Sequence, residues 1–251
     1  YLGDTPIGIT RFGEHGNIIN GAFPFALAID YLVVGAGGGG GDDNFSQNSG
    51  GGGAGRFLSQ TATLVSSQTL AAVIGTGGAI DVSGGQTTLI GSGITQRMPG
   101  GGSGGEFNVN GGDGENGGSG GGGANQTAAA GGSNAGAGGG LSDDQGTGTD
   151  GQSFTGSTAG NGGGSATQWL DSITYCVGGL KGDDSSTGST TAGSGGHGGR
   201  VTNPDIATAG RDGIVKIRYA GPQQATGGTI TQSGGFTFHS FTSNGTFTVT
   251  G

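Results

Sequence analysis

Two kinds of sequence alternate along the chain: short runs of β-branched and aromatic residues, and stretches in which almost every position is glycine. The apolar runs are continuous or alternate with period two, which predicts strands. Residues 29–34, Ile-Asp-Tyr-Leu-Val-Val, form such a run and open directly into glycine. Residues 61–74 predict one or two strands, over 62–65 and 70–74. Residues 169–177 predict another, with Trp169, Leu170, Ile173, Tyr175 and Val177 in rough alternation. Over 213–219 the alternation is clearest, with Ile214, Lys216 and Arg218 on one face and Val215, Ile217 and Tyr219 on the other. Near the C-terminus, 236–241 and 246–249 are Thr/aromatic runs on either side of Asn244-Gly245. That pair accepts positive φ and predicts a hairpin. No segment carries a helical period of useful length.

Glycine changes this picture more than any other residue. It supplies 69 of 251 positions, clustered at 35–41, 50–55, 100–105, 111–124, 131–140, 160–164 and 193–199. Each glycine loses more backbone entropy on folding than any other residue. With 29% hydrophobic and 10% charged residues, an ordinary core of domain size cannot be assembled. Ordering such runs therefore requires the backbone to satisfy itself. A polyproline-II-like glycine helix has three residues per turn, rises about 3.1 Å per residue and directs its amides outward in three directions. Stacked helices of this kind can pair one another's N–H and C=O groups in a two-dimensional lattice. Collagen is excluded, because no strict Gly-X-Y period exists and only 5 prolines are present. The expected fold is all-β with stacked polyglycine II helices, a glycine-rich sandwich, plus short strands and little or no α-helix. Three regions are expected: a lead-in or attachment segment over 1–28, a glycine-rich domain over 29–220, and a C-terminal Thr/Phe hairpin over 221–251.

Charge and chemistry narrow the function. Eight basic against seventeen acidic residues give a net charge of −9. Without clustered Lys and Arg, nucleic acid and anionic membranes are poor partners, and no apolar run is long enough to insert as a helix. Cys176 is the single cysteine, so no internal disulfide can form. Residues 33–40 match the glycine fingerprint of dinucleotide sites, but no helical period follows them. Residues 101–109 brush a calcium nonapeptide, yet Glu106 replaces Asp, Asn108 takes the apolar slot, and no tandem copies follow. The pairs Asp42-Asp43, Asp143-Asp144 and Asp183-Asp184 read better as solvated turn residues than as calcium ligands. His15, His197 and His239 are isolated, His239 on a sheet face, and no nucleophile elbow occurs. No enzyme activity, cofactor or metal site is expected. Trp169 and Tyr175 either stack on sugars or supply the apolar core where sheet meets polyglycine, the second being preferred. Phe45, Phe107 and Phe154 stand singly among polar residues, as loop anchors or receptor contacts.

Tyr31-Leu-Val-Val-Gly-Ala36 followed by polyglycine, the segment 61–78, and Gly210-Arg-Asp-Gly-Ile-Val-Lys-Ile-Arg-Tyr219 together resemble the glycine-rich domain of bacteriophage tail-fibre and other virion proteins. In that family Tyr-Leu-Val-Val-polyglycine opens the domain and Gly-x-x-Gly-Ile-Val-x-Ile-Arg-Tyr closes it, so the resemblance covers 29–220. In its polyglycine stacking it is also similar to the adhesins that tip the long tail fibres of T-even-type phages. The resemblance implies a non-enzymatic protein on the virion surface or otherwise extracellular. It would attach to a host glycan or outer-membrane protein through loops between glycine runs, as a homo-oligomer or with other virion proteins. Carried over, the loops are 42–48, 95–99, 141–155 and 181–191. The candidate contacts are Asp42, Asp43, Asn44, Phe45, Arg97, Met98, Asp143, Asp144, Phe154, Asp183 and Asp184, with Trp169 and Tyr175.

One feature departs from the family. A segment like 228–249 normally precedes the opening strand, whereas here it follows the closing one. It either folds back beside its own Tyr31 strand, begins a truncated second repeat, or pairs with the next subunit by strand addition. In the last case Phe236, Phe238, Phe241, Phe247 and Val249 are self-association candidates. The alternative function is then structural: a subunit of a self-assembling extracellular filament or capsid decoration, joined through residues 226–251.

Overall fold

A computed structural model of the chain describes residues 25–42, 49–105, 118–122, 162–164, 166–182, 188–199 and 207–250. Among these residues the protein is all-β, with no helix. The strands are β1 (Ala26–Val34), β2 (Phe57–Val65), β3 (Thr69–Val73), β4 (Thr87–Gly91), β5 (Ile94–Met98), β6 (Thr167–Gln168), β7 (Thr174–Tyr175), β8 (Ile214–Ala220), β9 (Ala225–Thr226), β10 (Thr229–Ser233), β11 (Phe236–Phe241) and β12 (Gly245–Val249). Two antiparallel five-stranded sheets, ordered β10-β11-β8-β1-β2 and β5-β4-β3-β12-β9, face each other, and β6 and β7 form a separate pair.

Alternation decides what lies between the sheets. Val215, Ile217 and Tyr219 point inward with Ile29, Tyr31 and Val33 of β1, and meet Leu70, Leu89, Phe247 and Val249 of the facing sheet. Lys216 and Arg218 lie on the outer face, as the period-two reading of 213–219 requires. At the edge of the core Tyr31 Oη donates to Gln60 Oε1 at 2.8 Å, and Gln96 Nε2 donates to the same oxygen at 3.2 Å. This bridge ties β1 and β2 to β5 of the other sheet.

Above the sandwich the strands run on as glycine segments. β1 continues into 35–41, β3 into 74–78 and β5 into 99–105, while 49–56, 82–86 and 207–213 lead into β2, β4 and β8. The segment 35–41 is central. Its N–H groups at 35, 38 and 41 donate to the carbonyls of Arg56, Gly53 and Gly50. Those at 36 and 39 donate to Gly85 and Val82, and those at 37 and 40 to Arg211 and Thr208. Its carbonyls follow the same rule: 36 and 39 accept from Gly101 and Gly104, 37 and 40 from Gly78 and Asp81, 38 and 41 from Gly196 and Gly199. The hydrogen-bond direction thus recurs every three residues, the period of a threefold extended chain rather than of a pleated strand. All the N–H groups from 35 to 41 are paired outside their own segment, without a side chain taking part.

At Gly35 and from Gly37 to Gly40 such spacing leaves no room for a Cβ, whereas position 36 holds a buried alanine. One added at Gly37 would lie 2.0 Å from the carbonyl oxygen of Ser194, and one at Gly38 would lie 2.1 Å from that of Gly102. Ala54 departs from glycine where its methyl meets Trp169 and its neighbours in a second apolar cluster.

The C-terminal segment corrects the expected hairpin. Asn244-Gly245 is a crossover between sheets: β11 pairs with β8 and β10, and β12 with β3 and β9. Neither residue has positive φ, and the Asn244 side chain accepts from the Ile74 N–H at 2.8 Å. The hairpin turn lies instead at Gly234-Gly235, with φ of 59° and 82°, joining β10 to β11. β11 sits beside β8, one strand removed from the Tyr31 strand. Both C-terminal strands are paired within the chain. Phe241, Phe247 and Val249 are buried in the sandwich, so these three self-association candidates face the protein's own core.

His239, expected on a sheet face, lies on the inner one and is fully buried. Its Nδ1 is 2.7 Å from the Gly227 carbonyl, which can only accept, so Nδ1 carries the proton. Nε2 then accepts from Tyr219 Oη at 3.0 Å, and Tyr219 Oη accepts from the Gln224 N–H at 3.0 Å. Burial lowers the imidazole below its ordinary value of 6.5, and the Gly227 bond offsets this only incompletely. Above that pH the ring is neutral folded and unfolded, and its hydrogen bonds contribute fully. As pH falls below it, the unfolded chain takes up a proton that the folded chain does not. This one group then removes at most about 1.4 kcal/mol per pH unit, until the lowered folded value is reached. His239→Phe is expected to lower stability at pH 7 by roughly 2–4 kcal/mol, since the Gly227 carbonyl and Tyr219 hydroxyl lose partners. Its loss on going from pH 7 to pH 5 should be smaller than that of the parent, as urea midpoints at the two pH values would measure.

Candidate functional site

Several glycine segments reach one end of the lattice, remote from the sandwich, at residues 41–42, 49–50, 105, 122, 182 and 199. There the Gly41 N–H donates to Gly50, Gly50 to Gly105, Gly105 to Gly122, Gly199 to Gly41 and Gly182 to Ser49, all at 2.8–3.0 Å. Asp42 is exposed at this distal end, and its N–H donates to Asp81 Oδ1 at 2.9 Å. Asp43, Asn44, Phe45, Asp143, Asp144, Phe154, Asp183 and Asp184 lie outside the described residues, as does Phe107.

Residues 95–99 are corrected from loop to strand. They form most of β5, paired with β4 through a Ser92-Gly93 turn in which both residues have positive φ. Met98 faces the core at 1% exposure, and Arg97 alternates outward on the sandwich, below the lattice. The apolar residues Leu89, Ile90 and Ile94 around that short turn carry the signal for a hairpin.

A second constellation occupies the outer face of the first sheet. Beside the lattice, Leu32, Val34 and Ile214 leave an apolar patch there, and the β6–β7 hairpin covers it with Trp169, Tyr175 and Cys176. The expected single strand over 169–177 is instead a turn, closed by the Ser172 N–H donating to the Trp169 carbonyl, followed by the two residues of β7, which pair with β6 just before the turn. Trp169 and Tyr175 are 7% and 3% exposed and belong to this core, not to a receptor-facing surface. Trp169 Nε1 donates to Ser59 Oγ at 2.9 Å, satisfying the indole as it is buried.

Asp171 in that turn is the electrostatic hub. It accepts from Lys216 Nζ, from Tyr175 Oη at 2.8 Å and from the Ile173 N–H at 3.0 Å. Burial alone would raise its carboxyl, but the Lys216, Ile173 and Tyr175 hydrogen bonds together hold it below the usual carboxylate range. Burial and the adjacent Asp171 charge push the Tyr175 phenol up, and burial pushes the Cys176 thiol up. Next in the row, Arg218 Nε donates to Asp30 Oδ2 at 2.8 Å, with its guanidinium 4.3 Å from the centre of the Phe236 ring. Between this row and the hairpin lies a cavity of about 420 Å³, lined by Leu170, Asp171, Lys216, Arg218, Phe236 and Phe238 among others. Phe236 and Phe238 are half-buried there, which separates them from the three fully buried residues of the same candidate set. Sequence reasoning does not join these groups into a site, although alternation sets Lys216 and Arg218 on one face.

Sheets continued by a three-residue hydrogen-bond lattice define an all-β glycine-lattice protein. A family model described as a glycine-rich domain matches residues 17–220, and the chain belongs to that glycine-rich domain family. The match ends at the last residue of β8, whereas β9 to β12 complete both sheets beyond it. No curated protein matches the chain.

Proposed function

We propose that the protein is a non-enzymatic surface protein of a bacteriophage virion that attaches the particle to a host cell-surface receptor, a glycan or an outer-membrane protein. Loops displayed at the distal end of the glycine lattice would make the contact. The observation that carries this reading is the gathering of Asp42, Gly105, Gly122, Gly182 and Gly199 at one hydrogen-bonded end. Segment 42–48 begins at Asp42 and returns at Ser49, and 181–191 passes through Gly182, all residues of that end. Segment 141–155 lies outside the described residues. A lattice held by backbone hydrogen bonds is indifferent to the side chains of the loops it carries, so those loops can change without cost to the scaffold. Copies on one particle would add avidity to weak single sites. The filament alternative draws no support from strands already paired within the chain.

Exchanging 43–48 and 183–187 for Gly/Ser segments of the same length tests the reading. Fluorescently labelled protein is expected to attach to some members of a panel of Gram-negative strains. The exchanged protein should lose that attachment while keeping its thermal midpoint. Equal attachment by both proteins, or none by the parent, would refute it.

A further inference from the structure

We propose that the cavity between the β6–β7 hairpin and the outer face of β8, β11 and β10 binds an uncharged saccharide. Its volume of about 420 Å³ falls within the roughly 300–1,000 Å³ usual for small-molecule sites. The register builds it from alternate residues on one face: Ser240 stands opposite Lys216, Phe238 opposite Arg218, Thr231 opposite Phe238, and Ser233 opposite Phe236.

Three features select the ligand class. Both cations are already matched, Lys216 by Asp171 and Arg218 by Asp30. The row therefore offers an anionic ligand no positive charge that is not already matched by a carboxylate. The aromatic surface of Phe236 and Phe238, with Leu170 at 48% exposure on the hairpin side, offers an apolar patch for a flat C–H face. Ser172, Thr231, Ser233 and Ser240 line the same space. None of their hydroxyls is hydrogen-bonded among the described residues, so each can still both donate and accept. A wholly apolar ligand would leave these hydroxyls unmatched, and a phosphorylated one would meet no free cation. A pyranose presents hydroxyls around its rim and C–H groups on its face, which satisfies both.

The cavity belongs to the sandwich and not to the distal end, so this assignment and the proposed receptor attachment can fail separately. Saturation-transfer NMR on the full chain with glucose, galactose, mannose and N-acetylglucosamine at millimolar concentrations is the test. At least one neutral sugar is expected to receive saturation, and Phe236→Ala should weaken its affinity about tenfold. Thr231→Val should weaken it about three- to tenfold through the lost hydroxyl. Both variants should keep the parent's unfolding midpoint within a few degrees, and the 43–48 exchange should leave sugar binding unchanged. No signal from any neutral sugar, signals that survive both substitutions, or tighter binding of glucuronate than of the neutral sugars would each overturn the assignment.

Discussion

Gly40→Ala is expected to abolish the folded state. The new methyl would lie 1.6 Å from the carbonyl oxygen of His197 and 2.1 Å from its carbon, both backbone atoms that no rotamer change can move. Relief requires 35–41 to separate from 194–199. That separation breaks the hydrogen bonds from Gly196 to Gly38 and from Gly199 to Gly41. With buried groups left unpaired on both sides, the loss should exceed about 4 kcal/mol. Alanine also stiffens the unfolded chain, but that gain of about 0.4–1 kcal/mol is far too small to compensate. Gly85→Ala is the control, because its methyl would come no closer than 3.1 Å to the Thr76 nitrogen. A shift of a few tenths of an ångström accommodates it, so its net effect should lie within about 1 kcal/mol of zero. Soluble yield and thermal unfolding of the three proteins measure the contrast, and equal midpoints for the two variants would refute the close-approach account.

Phe247→Ala should cost about 3–5 kcal/mol, the range for emptying a buried aromatic site. Phe247 is fully buried on β12 and is the point at which the sheets interlock. Its ring meets that of His239 edge-on, with centroids 4.9 Å apart at 84°, and that of Tyr219 at 6.5 Å. Phe236→Ala, on the outer face beneath Arg218, removes an exposed-edge contact worth about 0.5–1 kcal/mol. The ordering of the two variants in urea tests whether the C-terminal strands complete the core of their own chain. Unfolding midpoints should not change with protein concentration. Were residues 226–251 donated to a neighbouring subunit, the midpoint would rise with concentration by mass action.

Local pattern predicts the elements well where side chains alternate, and poorly where glycine does the punctuating. The two faces of 213–219 follow from period two alone. Gly234-Gly235 is the true hairpin turn, yet in a chain with 69 glycines such a pair carries little information. Asn244-Gly245 has the stronger local signal and loses it to tertiary demand, because the Asn244 side chain caps Ile74 and the flanking strands join different sheets. Residues 95–99 look like a loop between glycine runs, whereas Ile94 and Met98 bury on the inner face of an edge strand. The cavity is not legible in the sequence because Asp171 and Lys216 are 45 residues apart, and Asp30 and Arg218 are 188 apart. Only strand pairing brings them into one row.

The sequence by itself determined that the glycine runs must be ordered by backbone pairing, since clustered glycines without Cβ atoms permit little else. It also determined that the closing strand has an apolar and a charged face. That the remaining apolar residues nonetheless gather into one hydrophobic core between two sheets, against the expectation from composition, was decided by strand pairing. Which glycine segments become neighbours was decided only in three dimensions. One glycine amide pairs with any glycine carbonyl equally well, so nothing within a run specifies its partner or register. That information enters from the ends of the runs. β1, β2, β3, β4, β5 and β8 carry side chains, pack in one arrangement, and hand their order to the glycine segments that continue them.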